Sequence, residues 1–328
     1  MTRLCTRRSF LAVAAAALFA CPALAAEKLV VRMDLSPWGV QAAMQLAKEK
    51  KWFDEAGLDV EIQDGTGTIS TLQLVGAGRV DVGQVQLGPM AIAKEKYPDL
   101  MSFAGFVRKG DLAAMVDKKL DVTDAKGLVG KKLLCFTNSP WAPFIKPFLA
   151  ANGIKEDQVN VVMVAPTAVV ATYLTGEGDG FLSVMPDSEP RVRATRPVTS
   201  VLLADSGITF PSYGLVATTG TLAKRKDELR KLAQIQARAW DYIYAGHVDE
   251  AVNAIIAQRP NVKLDPVVLR NQIEIYRSFF PSPTTPNLPT GVQADADWVA
   301  AIKTLERLEL IKPGHKPSDY YTNDLIRK

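Results

Sequence analysis

The stretch from Lys50 to Gly83 constrains the fold of this chain more than any other. It runs Lys50-Lys51-Trp52-Phe53-Asp54-Glu55-Ala56-Gly57-Leu58-Asp59-Val60-Glu61-Ile62, then Gly65-Thr66-Gly67-Thr68, then Leu72-Gln73-Leu74-Val75-Gly76-Ala77-Gly78-Arg79-Val80-Asp81-Val82-Gly83. Glycine at 57 marks a helix end, and the alternation that follows marks a strand. The Gly/Thr turn opens a second helix, and Gly76 to Gly78 closes it before another strand. This βαβ rhythm leaves a helix N-terminus exposed. Its unpaired N–H groups and partial positive charge make a seat for an anionic or polar ligand.

Strand and helix signals alternate beyond this stretch, so the chain reads as an α/β protein with sheets covered on both faces. The first series predicts strands at 29–33, 58–63, 80–85 and 100–107, with helices at 41–51, 70–75 and 89–96. A second series follows Gly110, with strands at 113–116, 132–136, 159–164 and 180–184 and helices at 124–128, 141–152 and 167–174. A strand at 200–203 and the segment 213–218 lead back. The last third is helical at 224–244, 248–258, 266–279 and 295–310, where Leu, Ile and Ala recur at helical spacing. Residues 281–290 hold four prolines and form neither helix nor central strand; they serve as a lip over a cleft or as a surface connection.

Residues 1–25 read as an export signal: Arg3, Arg7 and Arg8 with no acidic residue, an apolar run from Phe10 to Ala20, and Ala23-Leu24-Ala25 as a cleavage site. The run is shorter than the roughly 20 residues that span a bilayer. Thr6-Arg7-Arg8-Ser9-Phe10-Leu11 resembles a twin-arginine signal, with an ordinary secretory signal as the alternative. Lipoprotein anchoring at Cys21 is not expected, because Phe19 sits where a small residue is usual. The chain has 39 Lys plus Arg and 35 Asp plus Glu, and losing the three signal arginines leaves 36 against 35. That balance gives no support to a nucleic-acid or membrane-surface partner. Of the 3 cysteines only Cys135 remains, in an apolar stretch that marks it as a core residue, so no internal disulfide is expected.

The phrases 52–60 and 72–83, with Tyr173-Leu174-Thr175-Gly176-Glu177-Gly178-Asp179-Gly180, resemble the bacterial solute-binding proteins for nitrate, sulfonate, taurine and thiamine precursors. The resemblance covers roughly 29–220. It implies an α/β, two-lobed periplasmic binding protein of type II, each lobe a mixed β-sheet flanked by helices, with a two-strand hinge. Lobe 1 would be discontinuous, 26–108 and 213–328, and lobe 2 would be 109–212. The crossovers would lie near 106–112 and 205–214. The protein would be a periplasmic monomer that holds a small solute between closing lobes and delivers it to an inner-membrane ABC permease and its ATPase. A sensor that signals to a membrane receptor has the same sequence pattern and stays open as the alternative.

Ligands of open α/β sheets gather at the carboxyl ends of the strands, which directs attention to the turns. After the first strand come Asp34, Trp38 and Gly39, where Trp38 is either an apolar wall for a ligand or a lid on the core. Thr66, Gly67 and Thr68 combine close backbone approach with hydroxyl donors. Gln86 follows the third strand and offers an amide. In the second series Asn138 and Ser139 form an N-cap ahead of Trp141, and Trp141 facing Trp38 would sandwich a planar ligand. Thr167 opens another helix, and Asp187 and Glu189 sit in the stretch 185–190, either binding an amine, pairing across the lobes, or standing as a solvated acidic loop. Tyr213, at the returning strand, completes the set. No arginine falls in these turns, so a planar, amine-bearing or aromatic solute is preferred over a clamped anion.

The resemblance includes a eukaryotic pyrimidine-forming branch, whose cysteine-rich motif is missing here. No Gly-x-Ser-x-Gly and no metal-ligand spacing occur, and the histidines, His247 and His315, fall in polar segments. No enzyme activity, metal or cofactor is expected.

Overall fold

The computed structural model describes residues 27–326, so the expected signal at 1–25 lies outside the described residues. Among the described residues ten strands form two sheets of five, in the orders β2-β1-β3-β10-β4 and β7-β6-β8-β5-β9. The first contains β1 (Leu29–Met33), β2 (Val60–Gln63), β3 (Val82–Gln86), β4 (Leu100–Gly105) and β10 (Tyr213–Thr218). The second contains β5 (Leu112–Asp117), β6 (Lys132–Cys135), β7 (Asn160–Met163), β8 (Gly180–Val184) and β9 (Val198–Leu202).

Both sheets are mixed. In the first, β1 runs parallel to β2 and β3, while β10 runs antiparallel to β3, with Tyr213 opposite Gln86, and to β4. In the second, β6 is parallel to β7 and β8, and β5 is antiparallel to β8 and β9. Strands β3, β5 and β8 are buried along their whole length, as central strands covered on both faces must be.

The helices of the first series are α1 (Ala42–Glu49), α2 (Trp52–Glu55), α3 (Thr68–Gly76) and α4 (Leu87–Ala93). Those of the second are α5 (Ile145–Ala151), α6 (Val169–Leu174) and α7 (Met185–Val192). The last third adds α8 (Thr219–Lys224), α9 (Lys226–Tyr244), α10 (Val248–Ala257), α11 (Pro266–Tyr276) and α12 (Asp295–Arg307). Gly57, at φ 72°, makes the left-handed turn that ends the α2 segment and aims the chain into β2. Trp52 and Phe53 sink into the core with Leu46, Val60, Leu232 and Trp240, so α1, α2 and α9 cover one face of the first sheet.

The expected helix at 141–152 is split into a 3-10 turn at Ala142–Phe144 and α5, while that at 224–244 starts at Lys226 as α9, preceded by the unexpected short helix α8. The stretch 185–190, open to a loop reading, is instead most of α7, with Pro186 in its first turn and Pro190 inside it. Residues 281–290 are fastened to α12 and the first crossing, with Ser282, Thr284 and Thr285 donating to Asp297 and Arg108 donating to Thr285, and none of them lines the cavity described below.

The chain passes between the sheets twice, leaving β4 for β5 and returning from β9 to β10. The passages lie side by side, with Ser212 N donating to Val107 O at 2.8 Å and Phe106 N to Tyr213 O at 2.9 Å.

Candidate functional site

The carboxyl ends of the two sheets face a cavity of about 350 Å³. Leu35, Ser36, Trp38, Gly65 and Thr66 line it from the turns of the first sheet. Phe136, Thr167, Val169, Val170, Ser183, Asp187, Ser188 and Arg191 are among those that line it from the second. Its volume falls in the range of roughly 300–1,000 Å³ usual for small-molecule sites.

Trp38 forms one wall from full burial. Its indole N–H donates to Asp34 Oδ1 at 3.3 Å, and its ring meets those of Tyr213 and Tyr276 at 5.7 and 5.6 Å. Tyr213 donates its hydroxyl to Asp34 Oδ2 at 2.5 Å, so it braces the wall from behind. Burial pushes the Asp34 carboxyl up to about 6, against the lowering pull of the Tyr213 and Trp38 hydrogen bonds. Gln86 lies deeper still, with Nε2 donating to Asp111 Oδ1 at 2.8 Å and Oε1 accepting from Ser212. Gln86 and Tyr213 therefore support the site from beneath and do not line it.

The Gly/Thr turn is shaped by contact with the opposite sheet. Gly67 takes φ 135°, and a Cβ there would lie 2.4 Å from Asn138 O. Gly65 is pressed as closely on the carbonyls of Met33 and Asp34. Thr66 is exposed and lines the cavity, while Thr68 is buried at the start of α3 with its hydroxyl lacking a hydrogen-bond partner. Asn138 meets this turn through its carbonyl and its Cβ, and Ser139 Oγ accepts from Trp141 N at 3.2 Å as a local cap.

The tryptophan sandwich is not formed. Trp141 is fully buried, its N–H donates to Ser183 O at 3.0 Å, and its ring packs edge-on against Phe148, away from Trp38. Glu189 is also turned away, held by Arg193 on the outer side of α7. Gly39 does not line the cavity; its N–H donates to Gln272 and its Cα faces α11. Thr167 and Asp187 do line it.

The main omission from the sequence reading is Arg191. In a helix, residues four apart share a face, which brings Arg191 beside Asp187. Arg191 Nε and Nη2 both donate to Asp187 Oδ1, at 3.0 and 2.8 Å. The arginine side chain remains 38% exposed at the cavity, so the pair presents both signs of charge to a ligand. Reading 185–191 as a helix is the signal that finds it. Gln272, which bonds Asp187 from α11, had no local signal.

Among the described residues no group of His, Cys, Asp and Glu is placed to hold a metal ion. His247 stacks on Tyr242 and meets Glu250, and His315 lies beside Glu95, both outside the cavity lining. Cys135 is buried, and burial pushes its thiol up.

Residues 39–250 match the family model described as NMT1/THI5 like. The chain is 22% identical over 290 residues to the formylaminopyrimidine-binding protein of Halalkalibacterium halodurans, covering 86% of each chain. It superposes with a TM-score of 0.66 and 13% identity on the alkanesulfonate-binding protein of Xanthomonas axonopodis pv. citri, solved with MOPS, over 90% of this chain and 98% of that one. A desulfurization enzyme shares the fold with a TM-score of 0.59 and 14% identity, over 91% of this chain and 97% of that one.

Proposed function

Because the chain belongs to the NMT1/THI5-like family, we propose that it is the substrate-binding component of an ABC-type importer, capturing a small organic solute between two lobes that close on it. The observation that carries this reading is the cavity of about 350 Å³ whose walls come from the strand-end turns of both sheets. A site split in this way is complete only when the two halves meet. The lobes are then 26–108 with 213–328, and 109–212. The solute is a compact molecule with an apolar or aromatic body, lying against Trp38, Phe136, Val169 and Val170, and a polar end at Arg191, Asp187 and Thr167. A sulfonate, an aromatic acid or a pyrimidine-like compound has that form. The likeness to the Halalkalibacterium formylaminopyrimidine-binding protein supports the last, and the likeness to the Xanthomonas alkanesulfonate-binding protein supports the first.

The likeness to proteins named as binding proteins supports binding without turnover. Export through the N-terminal signal, residence in the periplasm, a monomeric state, and delivery to a permease with its ATPase complete the proposal.

A melting-point screen with taurine, MOPS, benzoate and a formylaminopyrimidine tests it. A true ligand stabilises the fold by RT ln(1 + [L]/Kd), about 2.7 kcal/mol at a hundredfold excess over Kd. A flat melting point across the panel sinks the solute classes named here, and consumption of a bound compound sinks the non-catalytic reading.

A further inference from the structure

We propose that helix α11 carries a latch, formed by Gln272 and Tyr276, that positions the Asp187–Arg191 pair in the cavity and fastens the second sheet to the first. The proposal rests on the two-lobe reading above. Leu269 and Ile273 root α11 in the apolar cluster that also holds Leu46, Phe53 and Trp240, so the helix is fixed to the cover of the first sheet. From that base Gln272 and Tyr276, one turn apart, reach across to two carboxylates at the second sheet.

Gln272 is fully buried, and both ends of its amide are used. Oε1 accepts from Gly39 N at 2.9 Å, and Nε2 donates to Asp187 O at 2.7 Å and to Asp187 Oδ1 at 3.0 Å. Asp187 Oδ1 is the same oxygen that holds Arg191, so the orientation of the guanidinium in the cavity depends on an amide supplied by α11. Tyr276 donates its hydroxyl to Asp111 Oδ2 at 2.8 Å, just before β5, while its ring packs on Trp38. One helical face therefore touches the cavity wall, the charged pair opposite it and the first crossing.

A buried amide or hydroxyl that loses its partners costs far more than a water-exposed one, so the bonds are kept together or released together. Opening the lobes separates Gln272 from Asp187 and Tyr276 from Asp111, exposing all four groups to water. Closing restores the bonds and sets Arg191 for the solute. Gln272 and Tyr276 are positioning residues in this scheme; contact with the solute falls to Trp38, Asp187 and Arg191.

The test is small-angle X-ray scattering of the ligand-free full chain, with a melting curve for each variant. Gln272→Met keeps the side-chain length and removes the hydrogen bonds. Tyr276→Phe keeps the ring and removes one hydroxyl. Each is expected to raise the radius of gyration over wild type, and the double variant to raise it further. An unchanged radius overturns the latch, including the case where the melting point falls, because that outcome marks the residues as packing alone. Should Gln272→Met fail to fold, Tyr276→Phe carries the test by itself. The measurement needs no solute, so a flat ligand panel leaves it standing and its own failure leaves the panel standing.

Discussion

Asp34 is a carboxyl 2% exposed whose side-chain hydrogen-bond donors are a tyrosine hydroxyl and an indole. Neither donor is a cation, so burial dominates and the group keeps its proton up to about 6, against 3.8 for an ordinary aspartate. Between those two values the native state binds more protons than the unfolded chain, so stability is fully present below about 4 and is lost as pH rises through about 6. The shift of about 2 pH units corresponds to roughly 3 kcal/mol. Asp111, also raised by burial, adds loss of the same sign. Denaturant melts between pH 4 and 7 should show this decline, and Asp34→Asn should flatten it; an equal slope in the variant removes Asp34 as the cause. This behaviour was hidden in the sequence, because the hydroxyl that meets the Asp34 carboxyl comes from Tyr213, 179 residues away in the chain.

At the scale of elements, local chemistry carried most of the fold. Gly57 and Gly76 to Gly78 end their helices where the turn pattern puts them, and the alternation after Gly57 gives β2. The central strands were legible from apolar runs. What local signals did not give was which faces meet. Trp38 and Trp141 share a tryptophan-in-turn pattern, but Trp38 lines the cavity and Trp141 turns into the core on Phe148, since only tertiary packing separates the two. The proline pair of α7 hid a helix, and with it Arg191. The C-terminal third read as plain amphipathic helix, yet α11 reaches the site and α12 docks the chain end. Trp298 of α12 stacks on Tyr320 at 5.5 Å, and Tyr320 O accepts from Ser102 N in the outer strand β4 at 2.9 Å. This contact covers an edge that would otherwise expose unpaired backbone. Trp298→Ala, which empties a site only 1% exposed, should cost about 3–5 kcal/mol in denaturant unfolding. A loss below about 1 kcal/mol would mean the chain end docks independently of the indole.

For the whole molecule the decisive contact is the approach of Gly67 to Asn138, where two backbones from different sheets meet without room for a methyl group. Gly67→Ala adds that methyl 2.4 Å from Asn138 O and strains a backbone at φ 135°, a conformation that costs about 1–3 kcal/mol for a residue with a side chain. The variant is expected to fold with a reduced melting point and, as ligand-free chain, to show a larger radius of gyration than wild type in solution scattering. A wild-type-like radius would show that this approach does not limit closure.

The position of β10 has a further consequence, for how the chain reaches this structure. It is the last strand of the first sheet to be made, yet it sits inside that sheet between β3 and β4. Residues 112–202 supply every strand of the second sheet without interruption, so that sheet needs nothing from the rest of the chain, while the first keeps an open slot until β10 joins it. Until 213–218 emerges, β3 and β4 present bare edges, and pairing β10 with both closes a long loop at an entropic cost that slows folding. The interval between the two events is when a nascent chain of this topology is most exposed to mispairing with a neighbour.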